Sequence, residues 1–484
     1  MSMPAATSDK PTVLIVGAGL GGLMLGALLE KSNVPYAIFE RSTTLKPLGS
    51  AMAVGPTLLP IFQQLGIYEE FLTIGKYLTH IPGFGESNEI LYPKRPTDFR
   101  PIEEFTGYGQ YIVARPKLYE LLFKQVPTHK IHLGKRVLIT KRTQDNQRVT
   151  IQTSDNSIYE GDILVGADGA YSAVRQRMYE ALQKEGRLPK GDQEELPFSC
   201  TCLVGQTRVL DPKEFPIVDE EKCHVVTVLS DNKPYTWSFF TTTSKTLLFS
   251  VVHQLDVTSS KAALEQRFRN NQNSEWGAIP AQSMCEETKD FPIPSLTGKV
   301  DENGAVKMGR MGDIYALTPK EFVSKVMREE KVFETWYDGR VVLLGDACHK
   351  LSPSGGHGAV TALHDAIALA NLLYAMPTST SSDINNIFEE YRKERYPAVM
   401  ESYNNSRFVA KVSDRGIIGR IVLYLITHMP MWLWRLALKK TIRHRPQVGF
   451  LEAVGLMGSV PPVVSPSEHK ARAEFERRQR VVSL

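Results

Sequence analysis

Cysteine is scarce, with 5 in 484 residues, and the few present are scattered; only Cys200 and Cys202 lie near each other. There is no C-x-x-C pair and no histidine cluster beside them, so neither a structural zinc nor a disulfide framework is expected, and the default compartment is reducing and cytoplasmic. Charge of one sign is also lacking: 57 Lys and Arg stand against 53 Asp and Glu, a net charge of +4. That excess is too small to argue for nucleic acid, and basic residues are not interleaved with aromatic ones. No apolar run reaches the length that spans a bilayer. The opening MSMPAATSDKPT is short, polar and runs straight into a strand pattern, so no signal peptide is expected. Internal repeats and low-complexity tracts are absent, although 377–382 (PTSTSS) reads as an exposed loop.

What is present is a globular composition, 42% hydrophobic and 23% charged. At this length two domains, or one domain with a large insert, are expected. Residues 12–40 read strand, glycine turn, helix, strand. A helix is expected from Pro116 to about Val126, then paired strands at KRVLITKRT and RVTIQTS. DILVGADGA repeats the strand-into-glycine-turn design at Asp162 to Ala170. From about Pro197 to Leu255 the pattern alternates with period two, as in an antiparallel sheet. Within YTWSFF, Tyr235, Trp237 and Phe239 share one face. A helix is expected near Pro319–Glu330, and the first domain resumes at Arg340.

Three segments carry chemistry. In Gly17-Ala18-Gly19-Leu20-Gly21-Gly22, Gly17 allows a tight turn, Gly19 a close backbone approach to a pyrophosphate, and Gly22 close helix–strand packing. Glu40 ends the next strand, about twenty residues on, where a carboxylate accepts from ribose hydroxyls. A free 2′-hydroxyl suits FAD or NAD and disfavours NADP at this position. The second segment is Gly166 to Arg175, an Asp-Gly turn at Asp168 with Ser172 placed to cap a short helix. The third runs from Gly345 to Leu373: GDACHKLSPSGGHGAVTALHDAIALANLL. It follows the apolar run Val341–Leu344 and delivers Asp346 into a Pro-Ser-Gly-Gly loop before a helix that begins near Gly358. A helix N-terminus offers unpaired N–H groups and a positive dipole end to such a site.

In that order and spacing GAGLGG with Glu40, ARPKLYELL with Arg115, GADGAYSAVR and GDACHKLSPSGGHGAVTALHDA resemble the single-component FAD-dependent monooxygenases, the p-hydroxybenzoate and salicylate hydroxylase superfamily. The resemblance covers residues 12 to about 410, and its nearest branch is that of fungal secondary metabolism. It implies an α/β fold: a Rossmann-like FAD-binding domain from 1–196 and 340–410, an inserted antiparallel-sheet substrate domain from 197–339, and a C-terminal helical, basic region from 411–484. It implies FAD, held by Gly17, Gly19, Gly22 and Glu40 at the adenosine and pyrophosphate, by Arg115 at the ribityl–phosphate stretch, and by Asp346 at a ribityl hydroxyl. Gly49 and Ala51 would contact the flavin through backbone, and the loop from Pro353 through Gly358 and Ala359 would pass along the ring. Asp168 and Arg175 belong to the motif shared by FAD and the reduced pyridine nucleotide. One departure is an apolar Val360 where the family often has Asn.

The same resemblance implies that NAD(P)H reduces the flavin, that dioxygen forms a C4a-hydroperoxide, and that one oxygen atom hydroxylates or epoxidises a hydrophobic, aromatic or polycyclic small molecule. Tyr235 is the candidate catalytic group able to orient or deprotonate a hydroxyl, with His224 and His253 as alternatives. Trp237 and Phe239 are expected in the sheet core. His349 and His357 are read as architectural, since no metal-ligand spacing accompanies them. Residues 416–445 are strongly apolar with basic borders, and they fit an interfacial helix in peripheral membrane contact, a helix packed on the protein, or a homodimer contact, so a monomer and a homodimer both remain open. Two other chemistries remain open, an FAD-dependent reductase or dehydrogenase and a non-catalytic flavin-binding protein. A halogenase is disfavoured because W-x-W-x-I-P is missing.

Overall fold

The structure is a computed structural model that describes residues 10–44, 51–87, 89–92, 98–143, 145, 147–194, 196, 198–230, 233–255, 278–294, 296–297, 308–352, 356–413, 419, 421–422, 424–425 and 428–482. Its centre is a six-stranded sheet in the order Tyr337–Asp338, Val341–Leu343, Ile163–Gly166, Val13–Val16, Tyr36–Glu40, Ile131–Leu133. All neighbours pair in parallel except the first two. The inner strands VLIV, ILVG and VVL are buried at every position. Strands covered on both faces lose the polar alternation of half-exposed sheets, which is why they read as unbroken apolar runs. The helices Leu20–Lys31 and Gly358–Tyr374 pack against each other over this sheet.

Because Val13–Val16, Ile163–Gly166 and Val341–Leu343 are adjacent and parallel, the turns after them leave from one edge. Ligands in such folds bind outside the carboxyl ends of the strands. The turns are close enough to constrain one another. Gly17 has φ +105°, and a Cβ there would lie 2.4 Å from the Ala167 carbonyl oxygen. A Cβ on Gly22 would lie 2.1 Å from the Gly17 oxygen.

The second sheet has seven strands, in the order Val323–Glu329, Phe198–Gln206, Leu247–Gln254, Tyr235–Thr241, Val225–Leu229, Gly83–Phe84, Ile90–Tyr92. The expected helix at Pro319–Glu330 is not there. A single 3-10 turn at Lys320–Phe322 leads into the strand Val323–Glu329, which pairs antiparallel with Phe198–Gln206. Val326 lies opposite Cys202 and is buried with it, so ladder pairing and sheet burial override the local helical composition. The sheet is mixed: Gly83–Phe84, far upstream of the expected insert, pairs in parallel with Val225–Leu229. Tyr337–Asp338, inside that expected insert, belongs to the central sheet instead.

Helices Ser381–Ser413 and Pro466–Val482 pack on Gly358–Tyr374, while Met431–Thr441 packs on Arg100–Thr106. Among the described residues no helix is long and apolar enough to cross a membrane.

Two imidazoles are enclosed where the last segment covers the helix Gly358–Tyr374. His364 shares a 2.9 Å hydrogen bond with the Thr57 carbonyl, and its ring lies edge-on to His444 at 5.5 Å. Burial, reinforced by the Arg395 charge, pushes His364 down to about 3 and His444 down to about 4. Unfolded histidine titrates near ~6.5, so below that pH the unfolded chain binds protons that the folded chain does not. The stability from the neutral rings is therefore complete above about pH 6.5 and declines as the pH falls toward the folded values. The thermal midpoint should fall steadily as the pH is lowered from neutrality to about 4.5. His364→Gln, which keeps a donor for Thr57, should flatten that fall in calorimetry; an unchanged slope would contradict the assignment.

Candidate cofactor site

Two clefts follow the shared strand edge, enclosing about 1040 and 880 Å³ of space that includes their open mouths. Both are lined by Gly19, Ala167 and Gly169, so they form one continuous groove. One end carries Glu40 and Arg41; the other carries Arg115, Asp346, Gly358 and Ala359. An elongated groove of this capacity suits a dinucleotide better than a compact ligand.

The glycines separate into two kinds. Gly17 and Gly22 are compelled by backbone contact, as above. Gly19, Gly169, Gly356 and Gly358 would meet nothing within 4 Å if they carried a Cβ, so their open sides face free space; all four line the groove. Gly19 is also the N-cap of the helix Leu20–Lys31 and supplies no capping side chain, so the N–H groups of the first turn are left for an anion. Both Glu40 oxygens are held at the far end, accepting from the Ala18 N–H at 3.0 Å and the Ser42 N–H at 2.9 Å. A carboxylate retains further lone pairs for ribose hydroxyls.

At the inner end, the helix Gly358–Tyr374 begins at Gly358, with His357 at its N-cap and no side-chain cap. His357 acts through its carbonyl, which accepts from the Thr361 N–H at 2.9 Å and hydroxyl at 2.8 Å. Ala51 opens the strand Ala51–Val54 and lines the groove with Arg115 and Asp346. Asp346 is ion-paired with Lys350, which also lines the groove and is only 8% exposed. Gly49 and Pro353 lie outside the described residues.

Asp168 lines the groove and caps its own helix. It accepts from the Ser172 hydroxyl at 2.5 Å, the Ala173 N–H at 2.7 Å and the Val174 N–H at 3.3 Å. Burial pushes its carboxyl up against those hydrogen bonds. Ser172 in turn accepts from the Arg175 N–H, capping the helix Ala173–Lys184. The Arg175 guanidinium donates to the carbonyls of Ala170 at 2.6 Å and Ala347 at 2.7 Å, and lies 4.2 Å from the Phe333 ring centre. Arg175 thus clamps the second motif to the third rather than reaching into the groove.

Behind the third motif sits a buried hub. Asp365 accepts from the Gly345 N–H at 3.0 Å and from Arg395 at 2.8 Å, and meets His349 Nε2 at 2.5 Å. Burial raises its carboxyl, but His349 and Arg395 outweigh that and hold it well below the usual range. Cys348, His349 and Asp365 offer atoms within 4.8 Å of one another. The carboxylate is already committed to three donors, and burial drives the Cys348 thiol well up, so the cluster is built as a hydrogen-bond hub rather than a cation cage. Removing one member of such a buried pair leaves a charge uncompensated, at a cost of about 3–5 kcal/mol.

Tyr235 lies on the aromatic face of the second sheet. Its hydroxyl donates to Glu287, its ring stacks on His253 at 4.3 Å, and Phe291 meets it edge-on at 5.2 Å. It is 7% exposed, in the closed cluster that also contains Trp237 and Phe239 and is roofed by Met284, Ile293 and Ile314. Burial and then the Glu287 carboxylate drive its phenol further up, away from a neutral-pH base. Of the alternatives, His253 shares that face, and His224 sits by Glu220 at 3.2 Å. The opposite sheet face meets the strand Ala51–Val54. There Phe240 packs beside Ala51 and Ala53, and Ser238 and Ser250 bond each other across the ladder at 2.9 Å. Lys350, Asp365 and this serine pair went unread in the sequence. Only Asp365 had a local signal, an acid inside an otherwise apolar helix.

The model of a family described as FAD binding domain matches residues 10–192 and 311–406. Among curated relatives, the chain is 29% identical to the FAD-dependent monooxygenase ptmM of Penicillium ochrochloron, covering 85% of this chain and 92% of that one. It is also 29% identical to the FAD-dependent monooxygenase ausM of Aspergillus calidoustus, covering 87% and 85%. Among solved structures, HpxO of Klebsiella pneumoniae complexed with FAD and uric acid superposes with a TM-score of 0.63 at 19% identity, over 89% of this chain and 96% of that one. That likeness shows a shared fold. The glycine-lined groove fits FAD in donor set, and, with the family model matched over residues 10–192 and 311–406, the chain belongs to the FAD-binding domain family.

Proposed function

We propose that the protein is an FAD-dependent monooxygenase that uses NAD(P)H and dioxygen to hydroxylate or epoxidise a hydrophobic small molecule. The observation that carries this reading is the convergence of three distant motifs on one groove, in a chain whose curated relatives are named FAD-dependent monooxygenases. Gly19 and the first-turn N–H groups seat the pyrophosphate, Glu40 takes the ribose hydroxyls, and Arg115 and Asp346 take the ribityl–phosphate stretch. FAD, when bound and reduced, supplies the oxygen-activating chemistry. The N-terminus of the helix Gly358–Tyr374 places unpaired N–H groups and a positive end where negative charge develops on the ring. The apolar body of that helix keeps water away and strengthens these dipoles.

The substrate seat is the sheet face that carries Cys202, Val326, Val252, Ser238, Ser250 and Phe240, not the aromatic face. It is a mostly apolar surface with one small hydroxyl pair, suited to a lipophilic molecule with few polar groups.

Peripheral membrane contact belongs to the same reading. Residues 415–451 contain seven Lys and Arg and no Asp or Glu. On the helix Met431–Thr441, Leu438 turns inward while Trp432 is 68% and Leu436 58% exposed. An apolar face rimmed by Lys439 and Lys440 fits the headgroup region of an anionic bilayer, from which a lipophilic substrate is drawn.

Two outcomes are expected. Substrate-stimulated NAD(P)H oxidation across a panel of lipophilic compounds should require oxygen and give a product heavier by one oxygen atom; turnover that persists anaerobically would instead show a reductase. Separately, FAD-loaded protein should sediment with vesicles containing anionic lipid and much less with neutral ones. Trp432→Glu with Leu436→Glu should abolish that binding without altering flavin content, and vesicle binding by the double variant would refute the docking face.

A further inference from the structure

The sheet face that forms the substrate seat carries a polar line across its strands. Ser238 lies opposite Ser250, and their hydroxyls bond each other at 2.9 Å. The same row continues to Thr227 on one side, and through Val204 to Ser324 on the other. Two hydroxyls carry two hydrogens, and the bond between them uses one. The second meets no acceptor among the described residues, so the pair can still donate once and accept through its remaining lone pairs. Ser238 is 9% exposed and Ser250 half-buried, whereas Trp237, Phe239, Phe249 and Val251 on the aromatic face are closed off. The rows on either side run from Val225 to Gln206 and from Leu229 to Val326, and no position in either is charged. Phe240, one row away, packs beside Ala51, which lines the inner groove, so the pair stands near the point where the sheet meets that groove.

We propose that the Ser238–Ser250 pair is the polar anchor of the substrate seat, and that the substrate is a neutral lipophilic molecule with a hydroxyl or carbonyl oxygen, not a carboxylate. This rests on the placement of the seat on that face, and not on the oxygen chemistry. A carbonyl would take the unused hydroxyl hydrogen; a hydroxyl would take it or donate to a serine oxygen. A carboxylate entering the same seat would lose its hydration and find no cation on these rows, which costs more than one neutral hydrogen bond returns. Arg115 and Lys350 line the cofactor groove, not the rows. A site built around a hydroxyl partner also discriminates against a molecule that lacks one, because its own polar group is then covered and left unpaired.

The test is equilibrium dialysis of FAD-loaded, full-length protein at neutral pH against 2-naphthol, naphthalene and 2-naphthoate, which share one ring system. Binding is read without turnover, so the result stands apart from the oxygen dependence of NAD(P)H oxidation. The wild type should bind 2-naphthol about tenfold more tightly than naphthalene, the value of one neutral hydrogen bond, and 2-naphthoate most weakly. Ser238→Ala with Ser250→Ala should erase the preference for 2-naphthol and leave naphthalene binding and flavin content unchanged. The thermal midpoint should also hold, because removing both partners of a hydrogen bond strands no polar atom. A purely structural pair predicts the opposite pattern, a lower midpoint with the preference intact. The proposal fails if the double variant keeps the preference, if 2-naphthoate binds as tightly as 2-naphthol, or if the wild type binds none of the three. If the double variant loses the preference while no compound stimulates oxygen-dependent NAD(P)H oxidation, the monooxygenase reading fails and the anchor stands.

Discussion

Everything at this site depends on a backbone contact no side chain could replace: the turn after Val16 lies against the turn after Gly166 so closely that a Cβ on Gly17 would strike the Ala167 carbonyl. That contact exists because the strands Val13–Val16 and Ile163–Gly166 are parallel neighbours, with Val341–Leu343 next in line. Parallel pairing sends three loops from one edge. The Arg175 clamp and the Asp365 hub then hold those loops in register, one from the front and one from behind. The groove is what remains between them, and Gly19, Gly169, Gly356 and Gly358 leave backbone open along it. Backbone N–H groups left open at glycines and at an uncapped helix N-terminus recognise phosphate and carbonyl groups.

The cofactor half was legible because its information is local. A strand, a glycine turn and a helix follow one another within about thirty residues, and the helix beginning at Gly358 was visible from its apolar run. The substrate half was legible only in outline. Period-two alternation put Tyr235, Trp237 and Phe239 on one face, as observed, but alternation carries no sign: it cannot say which face turns inward. That was decided by helix Ala278–Thr288 and by Ile293 and Ile314, distant segments that cover the aromatic face. The strand Val323–Glu329 was misread for a related reason. Its composition tolerates a helix, and the open ladder edge of Phe198–Gln206 that captures it lies more than a hundred residues away. The strands at Gly83–Phe84 and Ile90–Tyr92 are two and three residues long, too short to show any period.

Charge placement was the least legible. Asp168 and Arg175 stand out as motif residues; both hydrogen-bond within the protein and so hold the loops, while Asp168 also lines the groove. Lys350 had the converse history, an unremarked lysine that strand pairing carries to the groove. In both cases local spacing identified an important segment, while the three-dimensional partner decided what each side chain does there.

The central claim is that this groove, assembled from three distant segments, is where FAD lies. Gly19 tests it most directly, because its open side faces only the groove and its φ of −71° suits any residue. Calorimetric titration of flavin-stripped protein with FAD should show one site in the wild type. Gly19→Leu should abolish binding while leaving the thermal midpoint of the flavin-free protein unchanged. Retention of wild-type FAD affinity by Gly19→Leu would contradict the account.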